Sequence, residues 1–221
     1  MLFRSLDAFR LARTLGATGL ASAVWVTRDG EVVLHRDAVV RRGLRQTRIA
    51  DLRREELPSH VPALRELIAL PGEWHLGLEV AEPAALAPLL RELRSVGGLG
   101  ARTWLHHADP STCATWVRLA AHDDGPRVVH AERIGRMSEG VERRLARVAD
   151  DGVAAVSMLR DDWSGGLVAL AHRFGLEAFA SDVRFAHQAA ALLAMGCDAI
   201  GGDWPDRLVD GRDGRVGRED A

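Results

Sequence analysis

The sequence predicts an α/β fold, a (β/α) barrel of the TIM type with about seven strands and a β-hairpin insertion, and three observations carry that prediction. From His75 onward, short apolar runs alternate with helical patterns of about three turns, the rhythm of a parallel sheet covered by helices. A run such as Val153 to Met158 is apolar on both sides, which suits a strand buried on both faces. No Gly-x-Gly-x-x-Gly follows an early strand, so an open dinucleotide-binding sheet has little support.

Taken in order, Leu6 to Leu15 places apolar residues at 6, 8, 9, 11, 12 and 15 with Arg between them, the spacing of a helix with one buried face. A strand from Leu20 to Val26, a turn at Arg28-Asp29-Gly30 and a returning strand from Glu31 to His35 follow. Asp-Gly between β-branched runs is a strong hairpin signal. The stretch from Arg36 to Val61 reads as irregular and dense in Arg (36, 41, 42, 45, 48, 53, 54). Val61 to Leu67 then opens a helix with Pro62 near its first turn. The repeating units come next: strand His75 to Val80 and helix Ala84 to Val96; strand Arg102 to Leu105 and helix Ser111 to Ala121; strand Arg127 to Ala131 and helix Glu139 to Ala149. Strand Val153 to Met158 leads to helix Gly166 to Phe174, strand Leu176 to Phe179 to helix Phe185 to Met195, and Ala199 to Gly201 is the last strand. Residues 1–208 are expected to form one domain and 209–221 a disordered charged tail with almost nothing to bury.

At 221 residues and 47% apolar, the chain can bury one substantial core. Its net charge of -2 provides no field to recruit nucleic acid or a membrane surface. Arg4, Asp7, Arg10 and Arg13 interrupt every N-terminal apolar run, so neither a signal peptide nor a membrane span is expected. Cys113 and Cys197 are too few and too far apart for a disulfide framework or a zinc site, and a reducing, cytoplasmic location is the expectation. All 29 basic residues are Arg, with no Lys, Tyr or Asn anywhere, a bias that weakens arguments from Arg clusters. The six Trp residues are too scattered for a nucleic-acid stacking platform.

Gly16, Ala17, Gly19, Leu20, Val24, Thr27, Arg28, Asp29, Gly30, Val32, Val33 and His35 resemble the signature region of the glycerophosphodiester phosphodiesterase family. A second anchor, Gly196-Cys197-Asp198-Ala199-Ile200-Gly201-Gly202-Asp203-Trp204-Pro205-Asp206, resembles the family's last strand and the turn after it. The resemblance spans roughly Leu6 to Leu208. It implies a metal-dependent hydrolase that cleaves glycerophosphodiesters to glycerol 3-phosphate and an alcohol. Three carboxylates would hold Mg²⁺ or Ca²⁺, and two His would act as acid and base. Of these, the resemblance assigns His35 as the surviving acid/base and Glu79 as the surviving metal ligand; Ala21, Ala23 and Arg36 replace carboxylates, and Ala81 replaces a Lys. It also places a strand bearing His-Arg-Gly before the first helix, where only Met1 to Ser5 stand, so the first strand and its catalytic His are expected to be missing from this sequence, either because the true start lies upstream of Met1 or because the barrel has lost a strand.

Strand ends of a barrel face the active-site mouth, which would gather His35, Glu79, Glu82, His106, His107, Asp109, Glu132, Asp182 and Asp203. His106, His107 and Asp109 are candidate ligands for a relocated transition-metal site, although adjacent strand residues point to opposite faces. His130 reads as a buried strand residue with a satisfied hydrogen bond. Glu79 reads either as a metal ligand or as a structural carboxylate paired with an Arg. The Arg-rich insertion reads as a phosphate-binding surface or as a solvated loop. Three functions stay open: a family hydrolase, a non-catalytic binding or regulatory barrel, and a scaffold that completes its open sheet edge by oligomerisation. The expected partner is a small phosphodiester or glycerol phosphate. No cofactor is expected beyond Mg²⁺ or Ca²⁺, and that only if the altered site still holds a metal.

Overall fold

The computed structural model describes residues 5–42, 45–122 and 124–215. Its elements alternate in the expected order. Helix α1 (Leu6–Thr14) leads to β1 (Gly19–Val26), β2 (Val32–Leu34), the short strands β3 (Val39–Arg42) and β4 (Arg45–Arg48), and helix α2 (Leu64–Ile68). Next come β5 (His75–Glu79), α3 (Leu86–Arg94), β6 (Thr103–His107), α4 (Pro110–Ala120), β7 (Arg127–Ala131) and α5 (Val141–Asp150). The chain continues through β8 (Ala155–Leu159), α6 (Gly165–Arg173), β9 (Glu177–Ser181), α7 (Ala186–Ala194), β10 (Ala199–Ile200) and α8 (Pro205–Arg212). None of the described helices is long and apolar enough to cross a membrane.

The described residues divide into two compact units, one holding 5–14, 18–105 and 122–126 and the other holding 15–17, 106–121 and the chain from Arg127 on. In the first, β1 pairs in parallel with β5, placing Ala21 opposite Gly77 and Ala23 opposite Glu79, and pairs antiparallel with β2. The turn between β1 and β2 is closed by Gly30 at φ 87°, a conformation that Gly adopts without strain. Thr27 holds that turn: its hydroxyl donates to Asp29 Oδ1 at 2.5 Å and accepts from the Glu31 amide at 3.0 Å. Helix α3 buries Leu86, Leu89, Leu90 and Leu93, the i, i+3, i+4, i+7 stripe of an amphipathic helix. In the second unit β7, β8, β9 and β10 pair in parallel, each with the next. Its core includes Leu145, Val156, Met158, Leu176 and Ala178, all at most 1% exposed.

Two expectations are corrected. The stretch from Arg36 to Val61 is not irregular: β3 and β4 form an antiparallel hairpin, and 3-10 turns follow at Ile49–Asp51 and Arg54–Glu56. Val40, Ile49, Leu52, Leu57 and Val61 from this stretch form an apolar cluster with Ala23, Trp25 and Val33. Asp29 ties the cluster's far side, accepting from the Arg54 amide at 3.1 Å. Thr27's hydrogen bond and then the Arg54 amide hold the Asp29 carboxyl below its usual range. The tail also begins later than expected, because α8 continues through residue 209 to Arg212 and buries Val209 and Gly211. A Cβ on Gly211 would collide with the Ala186 carbonyl and the Ala189 methyl, so a close helix crossing with α7 dictates that glycine. Arg212 Nη1 donates to the Gly16 carbonyl at 2.9 Å, across 196 positions of sequence. The remaining tail positions, 216–221, lie outside the described residues, as does the segment before Ser5 where a first strand would stand.

Candidate functional site

In the first unit, the signature residues meet at the C-terminal ends of β1 and β5 and just beyond β2. Ala23 is the centre of that arrangement: it lies opposite Glu79 on one side, and on the other its carbonyl accepts from the His35 amide at 3.2 Å. Trp25 fixes His35 further, donating from Nε1 to the His35 carbonyl at 2.9 Å. The His35 imidazole turns its Nδ1 toward the backbone of Asp37, 2.9 Å from the carbonyl and 3.2 Å from the amide. That turn occupies Nδ1 in either tautomer and leaves Nε2 as the nitrogen open to a ligand. Glu79 is exposed at the strand end, and among the described residues its carboxylate has no ion pair or hydrogen bond, so the reading of it as a structural carboxylate finds no Arg partner there. Glu82 is engaged elsewhere, 3.3 Å from Arg48 Nη2.

The donor set here does not fit a divalent cation. Ca²⁺ takes roughly six to eight oxygen ligands, and carboxylates supply the charge that makes such sites bind. Here Glu79 stands alone, Ala21 brings a methyl group, and the Ala23 methyl is 3% exposed inside the apolar cluster. Among the described residues no group of three or more His, Cys, Asp or Glu side chains is arranged to hold a metal. The relocated site fails for reasons visible residue by residue. His106 and His107 point to different neighbours, His106 toward the Phe179 ring at 6.3 Å and His107 edge-on to Trp116 at 4.9 Å. Burial pushes His106 down to about 4, which keeps the ring neutral at pH 7, so it is the divergence of the two rings and not protonation that speaks against a shared ion. His107 Nδ1 accepts from the Asp109 amide at 3.0 Å. Asp109 is the N-cap of α4, accepting from Ser111 Oγ at 2.5 Å and the Thr112 amide at 2.7 Å, and those bonds lower its pKa to about 2.

The strand ends of the second unit hold a different constellation. His130 on β7 is fully buried; its Nε2 accepts from Arg144 Nη1 at 3.0 Å, while Nδ1 has no partner, so one of its two nitrogens is satisfied rather than both. Burial, and then the Arg144 charge, push it down to about 4. Arg144, 7% exposed, also binds Glu132 and grips Glu139 with two bonds of 2.5 and 2.9 Å. That grip lowers Glu139 to about 2 and raises Arg144. Asp182, at a positive φ of 57°, binds Arg184 at 2.9 Å and Arg160 at 2.7 Å, contacts that lower its carboxyl, Arg184 contributing most. Asp203 is exposed beyond β10. A cavity of about 180 Å³ opens here, its wall including Glu132, Arg133, Arg136, Ser157 and Ser181. The sequence singled out Glu132 and Asp182 but not the arginines, because in a chain whose every basic residue is Arg these carry no distinguishing signal.

No family model matches the chain, and no curated protein sequence matches it either. Solved structures do. A Silicibacter pomeroyi protein classed with the glycerophosphoryl diester phosphodiesterases superposes with a TM-score of 0.81 at 20% identity, over 98% of this chain and 90% of that one. The glycerophosphodiester phosphodiesterase of Thermotoga maritima gives 0.76 at 17% identity, over 93% and 90%. An Oleispira antarctica phosphodiesterase, solved with the product sn-glycerol-3-phosphate, gives 0.77 at 16%, over 96% and 92%. The expected α/β class and barrel type are thereby established: the chain has the fold of the glycerophosphodiester phosphodiesterases.

Proposed function

We propose that this chain belongs to the glycerophosphodiester phosphodiesterase family and serves as a non-hydrolytic, small-molecule-binding barrel whose metal-dependent chemistry has been lost. One observation carries the reading. Ala23, flanked by His35 and Glu79, is packed among the apolar side chains of the insertion, where a ligating carboxylate would have to leave water without a partner. The expected ligand is a small phosphodiester or glycerol phosphate, in line with the fold and with the complex of the Oleispira neighbour. The cytoplasm is the expected compartment, in line with two free thiols, Cys113 and Cys197, and no disulfide among the described residues.

The test is to incubate the protein with glycerophosphocholine in the presence of Mg²⁺, Ca²⁺ or Mn²⁺ and to follow its melting temperature under the same metals. Release at the rate of the buffer blank and an unmoved melting temperature are expected, since a cation bound specifically to the native state must raise its stability. Metal-dependent release of glycerol 3-phosphate overturns the proposal. Residual hydrolysis is favoured by one feature, the solvent-facing Glu79 carboxylate beside a His35 whose Nε2 is open, and the same assay decides between the two.

A further inference from the structure

We infer that the cavity at the ends of β7, β8 and β9 binds a small phosphomonoester, recognised by Arg133 and Arg136. Its volume, about 180 Å³, lies below the roughly 300–1,000 Å³ of sites for drug-sized ligands, so the occupant is small. Arg133 precedes and Arg136 ends a single 3-10 turn, Ile134–Arg136, so one short segment brings both side chains to the cavity wall. The turn is fixed in place: the Ile134 amide donates to Asp162 Oδ2 at 3.2 Å, and Met137 behind it is 5% exposed.

Unlike Arg144, Arg160 and Arg184, these two arginines have no carboxylate partner among the described residues. Arg144 is saturated by Glu132 and Glu139, Arg160 by Asp161 and Asp182, and Arg184 by Asp182. Among the described residues no ion pair engages Arg133 or Arg136, although both line the cavity. Glu132, the acidic group in the same wall, shares Arg144 with Glu139, so one negative charge of that trio remains and the two charges of Arg133 and Arg136 outweigh it. Ser157, 8% exposed in the wall, adds a hydroxyl. Two guanidinium forks and a hydroxyl match the charge and oxygen count of a phosphate dianion better than a neutral or singly charged group.

The inference deepens the reading of a non-hydrolytic barrel and rests on it for the choice of probe. Titration calorimetry of the full chain uses inorganic phosphate, glycerol 3-phosphate and glycerol as probes. Saturable binding of both phosphates, tighter for glycerol 3-phosphate, and none for glycerol, is expected. The R133Q/R136Q variant, altered only at exposed positions, should melt as the wild type does and bind glycerol 3-phosphate about tenfold more weakly or worse. The Arg173→Gln variant, which removes an exposed charge of the same unit outside the cavity, should bind as the wild type does. Absence of saturable phosphate binding at millimolar concentration, or equal binding by R133Q/R136Q, overturns this inference and leaves the loss of hydrolysis standing. Metal-dependent hydrolysis with phosphate binding abolished in R133Q/R136Q would overturn the proposed function and support the cavity.

Discussion

Replacing Glu92 by Gln should stabilise the protein at neutral and alkaline pH while leaving it unchanged in acid. Glu92 sits on α3 beside four buried leucines; its Oε1 is buried without a hydrogen-bond partner. Burial, and then the charge of Glu31, raise its carboxyl from an ordinary 4.5 to about 7, and the Arg65 backbone and charge offset only part of that. The native state therefore holds a proton that the unfolded chain has already released between pH 4.5 and about 7, and stability falls as pH rises through that window. A rise of that size corresponds at full burial to about 3 kcal/mol. Glu92 is only partly shielded from water, and screening reduces the expected penalty to about 1–2 kcal/mol. Glutamine keeps the shape and removes the charge, so E92Q should melt about 4 °C above the wild type at pH 8, by the usual conversion for a chain of this size. The two proteins should converge near pH 4.5. Circular dichroism melts of both proteins from pH 4.5 to 8.5 measure the difference at each step. Parallel curves, or an E92Q protein less stable at pH 8, would refute the assignment of a destabilising buried carboxylate.

Ala23→Asp should cost about 3 kcal/mol, because it places a carboxylate in the apolar cluster, and should cost less at pH 5 than at pH 8 as protonation relieves it; pH-resolved thermal melts check both statements. Arg144→Ala should cost about 3 kcal/mol, since it strips Glu132, Glu139 and the buried His130 of their common partner, and urea denaturation measures it. Asp109→Ala removes the cap of α4 for about 1 kcal/mol. Its carboxyl is held at about 2, so that contribution is present above pH 3.8 and fades as pH falls toward 2; urea midpoints at pH 7 and pH 2.5 should show the wild type's advantage shrinking.

The sheet and helices were readable because their signals are local. Asp29-Gly30 announces the β1–β2 turn, the leucines of α3 repeat at helical spacing, and adjacent His106 and His107 had to diverge because strand neighbours alternate. The insertion was not readable, because Val40, Ile49, Leu52, Leu57 and Val61 follow no single period among their arginines and find their partners on β1, well before them in sequence. Arg144 failed for the same reason. On a helix whose other arginines face outward it looks like one more solvated charge, yet it reaches the end of β7 to hold His130 and Glu132. The start of the tail was misjudged because Val209 and Gly211 are small signals amid charges, and only the close crossing with α7 shows that both are buried. The alanines at 21 and 23, by contrast, are legible in the sequence itself, since a methyl side chain carries no carboxylate wherever the strand places it.

The bond from Arg212 to the Gly16 carbonyl spans 196 positions of sequence. A pairing so distant along the polymer is slow to close by diffusion, so in refolding the local turns and helices on either side of it form first. The docking of α8 onto that bend is therefore a late closure, made between segments that already exist.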